Sequence, residues 1–140
     1  MQPAAKSATP SAVIERYYDE VWAQRRPERI DSLFAPGYQN HAGARGTLSG
    51  PAGIRKNYDS LLTAFPDVRF SVDDLIAAED RVAVRYTMFG THRGLFQDLA
   101  PTGRAVEVPG IGIYRVADGL IQESWVVRDS LVLLRQLGAA

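Results

Sequence analysis

Ile121-Gln122-Glu123-Ser124-Trp125-Val126-Val127-Arg128-Asp129 follows the hairpin turn signal Asp118-Gly119 and reads as a strand. Alternation puts Glu123, Trp125, Val127 and Asp129 on one face and Gln122, Ser124, Val126 and Arg128 on the other. One face thus carries an indole, a valine and a carboxylate. An unpaired carboxylate is costly to bury beside apolar groups. Asp129 is therefore either wet at a rim or held in a pocket for chemistry. It also stands directly before the leucine-bearing turn Ser130–Leu137, which it can cap. Trp125 can be core filler or a platform for a ligand.

Working outward, Arg104–Val116 is a long strand with a bend expected at Pro109-Gly110, because proline cannot serve a central ladder. Arg81–Gly90 alternates cleanly, with Val82, Val84, Tyr86 and Met88 on one side, and Val68–Asp73 has the same period. Between them lie turns at Glu79-Asp80 and Pro101-Thr102-Gly103. Further back the period becomes helical. Thr9-Pro10 offers a cap for a helix whose stripe is Val13, Ile14, Tyr17, Tyr18, Val21 and Trp22. A short second helix with Ile30, Leu33 and Phe34 inside is expected to stop at Ala35-Pro36-Gly37. Tyr38–His41 is a short extended segment, and Ala42–Gly50 reads as a loop. Pro51 opens a third helix with Ile54, Tyr58, Leu61, Leu62 and Phe65 on its face. Helices first and strands later imply an α+β fold: about three N-terminal helices over a curved antiparallel sheet of four to six strands.

The 140 residues suit one domain, expected over 10–140 with 1–9 as a disordered lead-in. Lys plus Arg equals Asp plus Glu at 16 each, so no nucleic-acid partner is expected. With no cysteine there is no disulfide framework and no thiolate nucleophile. No apolar run approaches the length of a membrane span, and Met1–Thr9 lacks the apolar core of a signal peptide, so a cytoplasmic protein is the default. Nucleotide-binding glycine fingerprints and a nucleophile elbow are missing. His41 and His92 lie far apart in loops and have no local ligand spacing, so no metal and no cofactor are expected.

The polar groups at element ends that can converge are Asn40, His41, His92, Arg115 and Asp129. Arg115 can equally be an ordinary cross-strand partner of Glu107 or Glu123. The two histidines can be ordinary loop residues. An apolar pocket with a few polar groups is the usual form of a small-molecule site.

Ala64-Phe65-Pro66-Asp67, Arg81-Val82-Ala83-Val84-Arg85, Gly90-Thr91-His92-Arg93-Gly94, Pro101-Thr102-Gly103-Arg104, the run from Arg115 through Trp125 to Asp129, and Gln136-Leu137-Gly138 together resemble the SnoaL-like polyketide cyclases of the nuclear-transport-factor-2-like superfamily. The resemblance covers roughly residues 11–138. It implies a cone-shaped α+β barrel around a pocket, and a homodimer or higher homo-oligomer formed through the sheet. It also implies ring closure in a polyketide-like apolar carbonyl substrate, without metal or Schiff base. The family's acid/base aspartate falls on Asp129. Two departures stand out: Tyr114 precedes Arg115 where founding members have histidine, and Asp98-Leu99-Ala100 replaces glycine-isoleucine-proline.

The candidate catalytic residues are therefore Asp129, His41 and His92. The candidate substrate-binding residues are Tyr17, Phe34, Tyr38, Asn40, Tyr58, Phe65, Tyr86, Met88, Tyr114 and Trp125. Closure can run by aldol-type acid/base chemistry or by templating alone. An epoxide hydrolase or isomerase, and a non-catalytic small-molecule-binding module, are the alternatives on the same scaffold.

Overall fold

The structure is a computed structural model that describes residues 9–41 and 49–140. The expected lead-in, apart from Thr9, and most of the expected loop Ala42–Gly50 lie outside the described residues.

Helix α1 starts at Pro10 with the Thr9 hydroxyl accepting from the Ala12 N–H at 3.2 Å. It runs as α-helix over Pro10–Arg16 and continues as π-helix over Tyr17–Ala23. The wider turn brings Tyr17, Tyr18, Val21 and Trp22 all into the interior. Arg25, at a φ of 58°, ends the helix. Its guanidinium holds the Trp22 carbonyl at 2.6 Å and the Val68 carbonyl at 2.5 Å, tying the helix end to the sheet. A 3₁₀ turn, Pro27–Arg29, leads into the short α2, Ile30–Leu33. Helix α3, Pro51–Ala64, buries Ile54, Tyr58, Leu61 and Ala64, and α4, Ser130–Gln136, buries Leu133. No described helix is long and apolar enough to cross a membrane.

Among the described residues five strands form one curved, unclosed sheet: β1 Phe34–Asn40, β2 Arg69–Ala78, β3 Arg81–Thr91, β4 Ala105–Ala117 and β5 Leu120–Arg128, in the order β1-β5-β4-β3-β2. All neighbours are antiparallel except β1, which pairs parallel to β5. Two expectations are corrected here. Ala35-Pro36-Gly37 does not end a helix but lies inside β1. Proline is tolerated because β1 is an edge strand whose register shifts between Phe34 and Gln39. The long strand β4 also keeps its pairing with β3 through Pro109 and Gly110. What ends at Pro109 is the partnership with β5: the Asp129 N–H reaches the Pro109 carbonyl at 3.0 Å. Two positions earlier in β4, the Gln136 amide serves Glu107 as a strand would, accepting its N–H at 2.8 Å and donating to its carbonyl at 2.9 Å.

The helices cover the concave face. Val82, Val84, Met88, Val106, Val108 and Val116 meet the aromatic side of α1 and Phe34, Tyr38 and Phe65 in one core. The convex face bears Ile76, Ile111, Ile113 and Val127, all exposed.

Candidate functional site

The concave face is not filled throughout. Cross-strand register sets two rows on it. One runs Tyr86, Gly110, Arg128 and the next-but-one Val82, Tyr114, Ser124, Asn40. Tyr86 and Arg128 stand on either side of Gly110, and a Cβ at Gly110 would run into the Tyr86 phenol. The missing side chain is what lets the ring lie down across β4. Above these rows is an open chamber of about 340 Å³, walled by Tyr17, Tyr18 and Trp22 of α1, Ile54 and Leu61 of α3, and the strand residues Tyr38, Phe70, Tyr86, Tyr114, Ser124 and Val126.

The lining is phenolic. The Tyr18 and Tyr114 hydroxyls share a hydrogen bond of 2.8 Å, and the Tyr38 hydroxyl and Ser124 Oγ one of 2.5 Å. Burial drives the Tyr17, Tyr18 and Tyr114 phenols well above the usual range and pushes Tyr38 up to about 12. Tyr86 is raised by burial as well, with the Arg128 charge acting against that rise. At neutral pH these phenols keep their protons and can donate hydrogen bonds to an oxygen in the chamber. Asn40 also lines the chamber.

A second cavity of about 770 Å³ lies outside the first, between α3, the loop Leu95–Gln97 and α4. Asn57, Leu61, Arg128 and Ser130 line both, so these four form the neck between groove and chamber.

The sequence-derived candidates are dispersed. Tyr17, Tyr38, Asn40, Tyr86 and Tyr114 line the chamber. Phe34, Tyr58, Phe65 and Met88 are buried in the core without lining either cavity. The expectation that Trp125 and Asp129 wall one pocket is corrected, because their face of β5 is the convex one. Trp125 is half-buried there, with the His41 ring stacked on it at 4.9 Å and the Arg81 guanidinium over it at 5.1 Å. His41 Nε2 meets Glu123 Oε1 at 3.0 Å, and Arg115 Nε donates to Glu123 Oε2 at 2.6 Å. The Arg115 bond, then that of His41, lowers the Glu123 carboxyl.

Asp129 is exposed, and its Oδ1 accepts the Val132 N–H at 3.1 Å as the N-cap of α4. His92 is fully buried beside Phe65 and Phe96. Its Nδ1 accepts from the Thr102 N–H at 3.2 Å, which puts the ring proton on Nε2, an atom without a partner among the described residues. His92 thus pins the loop at Thr102. It lines neither cavity.

Tyr18, Trp22, Ser124 and Arg128 are chamber residues that sequence reasoning missed. Parity did group Ser124 with Arg128, but the local pattern leaves open which face of the strand looks inward. Among the described residues no group of three or more His, Cys, Asp or Glu side chains is placed to hold a metal ion.

A curved sheet with helices over its hollow and a phenol-lined chamber beneath them defines a small-molecule pocket protein of α+β class. The chain matches the SnoaL-like polyketide cyclase family over residues 12–137 and belongs to it. Among solved structures, IdmH of Streptomyces antibioticus, a candidate polyketide cyclase, is 32% identical with a TM-score of 0.81 over 92% of this chain and 98% of its own. AclR of Streptomyces galilaeus, a candidate hydroxylase, is 30% identical with a TM-score of 0.83 over 94% of this chain and 85% of its own. TsrD of Streptomyces laurentii is 26% identical with a TM-score of 0.83 over 100% and 99%. No functionally curated protein sequence matches the chain.

Proposed function

We propose that the protein is a cofactor-free cyclase of polyketide or related natural-product biosynthesis, which closes a ring by holding a flexible carbonyl substrate folded in the tyrosine chamber. The observation that carries this reading is the lining itself. It offers apolar and aromatic walls, hydroxyl and amide groups, and one guanidinium, with no carboxylate and no imidazole among the described residues that form it. The undescribed residues 1–8 and 42–48 contain no Asp, Glu or His either.

Such a chamber is suited to two tasks. It brings the two ends of a chain together, lowering the entropic part of the barrier. It also donates hydrogen bonds to a carbonyl oxygen as negative charge develops there, through the Tyr18–Tyr114 pair or Tyr38. Templated closure therefore fits better than closure by a carboxylate base. In an aldol closure of an already enolised substrate, the enol carbon bonds to the second carbonyl carbon and that carbonyl oxygen takes up the enol proton, so no atom is lost. In a pericyclic closure the new bonds come from π electrons and no proton moves. The convex face, with its exposed isoleucines and Val127, is the surface we assign to a second copy of the chain.

The test compares metabolites of the source strain with and without the gene. An uncyclised isomer of the product should accumulate in the deletion strain, and purified protein should convert it. A product that has gained an oxygen atom would replace ring closure by hydroxylation, and no conversion of any accumulated compound would leave the binding-module alternative standing.

A further inference from the structure

Arg128 sits where the two cavities join and lines both. It is half-buried, and it stands in no ion pair with any described residue. Its Nη1 points onto the Met88 sulfur at 3.3 Å, a weak acceptor that leaves the charge unmatched. The other cations of the groove are differently placed. Arg55 is tied to Asp31 at 2.7 Å, and Lys56 is exposed on the outer wall. The acid that faces the groove, Asp59, lines only the outer cavity.

The strand geometry explains why Arg128 points inward. It shares a cross-strand row with Gly110 and Tyr86, and the absent side chain at Gly110 leaves the guanidinium and the phenol facing one space. Asp129, next in the chain, is turned away and spends one carboxylate oxygen on the α4 cap. A guanidinium without a carboxylate, next to a protonated phenol at the neck of an apolar chamber, is a donor set shaped for a planar anion.

We propose that Arg128, with Tyr86 beside it, anchors a carboxylate of the substrate, so that the molecule entering the chamber is a free acid whose apolar remainder lies among the tyrosines. This rests on the chamber being the substrate site. It does not depend on which bond is formed there. Anchoring one end at the neck would fix which part of the chain reaches the Tyr18–Tyr114 pair, making Arg128 a residue that sets specificity.

The experiment is calorimetric titration of the full chain with 1-naphthylacetate and with its neutral isostere 1-naphthylacetamide. The wild type should prefer the acid by between about tenfold and about a hundredfold, the range of a charge-assisted hydrogen bond in a partly buried site. Arg128→Gln should bind the two alike, the acid losing the larger share of its affinity. Arg128→Lys should keep part of the preference, and added salt should weaken only the acid. Arg128→Met, whose side chain can still pack on Met88, repeats the measurement should the glutamine variant fold poorly. Equal binding of acid and amide by the wild type, a preference that survives loss of the charge, or no saturable binding of the acid at millimolar concentration overturns the proposal. Failure of the ring-closure assay leaves this titration unaffected, so the two readings fail separately.

Discussion

Two faces of one strand divide the labour in this protein. On the concave side of β5, Ser124, Val126 and Arg128 look into the chamber. On the convex side, Glu123 and Trp125 hold His41 and Arg115 in a small surface cluster, and Val127 is exposed. The side with the more apolar residues faces out, and the side with a serine and an arginine faces in. Hydropathy follows this pattern because neither side is an ordinary core. A chamber must keep polar donors for a ligand, and the apolar outer face is the surface proposed above for a second copy of the chain.

The sharpest way to break this contrast is to remove one hydroxyl from the inner face. Tyr114→Phe should lower turnover about a hundredfold, the order expected on losing a preorganised donor to a developing oxyanion. Its melting temperature should fall by only a few degrees, because the ring and its packing remain while the buried Tyr18 hydroxyl loses one partner. Turnover unchanged in this variant would remove the Tyr18–Tyr114 pair from the chemistry.

On the outer face the expected effect is on assembly. Ile113→Glu puts a charge in the middle of the exposed apolar rows, opposite Trp125. It should weaken self-association at least about tenfold, read by light scattering across a dilution series. A wild type that is monomeric at all concentrations would end the assignment of that face.

Alkaline pH separates the faces without mutation. Burial raises the Tyr38 phenol from 10.0 to about 12, so the folded protein keeps a proton that the unfolded chain releases near pH 10. That contribution to stability is fully present below pH 10 and is lost as pH rises toward 12. The melting temperature should fall across this window, and Tyr38→Phe should fall less steeply. The convex cluster responds at the other end. Glu123 is lowered, chiefly by Arg115, so what it contributes is present above the ordinary carboxylate value of 4.5 and lost as pH drops below it.

The smallest effect is expected at the strand's end. Asparagine caps helices about as well as aspartate, so Asp129→Asn should leave both stability and turnover near normal. Asp129→Ala should cost about 1 kcal/mol of stability, measured by urea denaturation, with turnover retained. A large loss of turnover in the asparagine variant would restore proton transfer by Asp129 and overturn templated closure.

Much of the fold was legible in the chain. The period-two runs in β3, β4 and β5, the aromatic stripe of α1 and the Pro51 start of α3 are local patterns that tertiary packing only reinforces. The pairing of Arg115 with Glu123 was open between two glutamates, and cross-strand register chose Glu123. The site was harder to read. Alternation grouped Ser124, Val126 and Arg128 correctly, but nothing local says which face of a half-polar strand looks inward. The register shift between Arg115 and Val116 adds to this. Ile121 is buried on one parity and Ser124 on the other, so the chain changes face around Gln122. Likewise the π-helical form of Tyr17–Ala23 has no signature in a pattern of period 3.6, although the inward stripe it carries does.

The sequence by itself determined that β5 is a strand with two unlike faces, that most helices precede a mainly antiparallel sheet, and that the chain resembles its family over roughly residues 11–138. Only the tertiary structure decided which face is the chamber. That choice depends on sheet curvature, on glycine at 110 and on where the helices dock, and these join residues far apart in the chain. It moved attention from Asp129 and Trp125 to Tyr114, Ser124 and Arg128, because a side chain's chemistry is set by the space it faces as well as by its type.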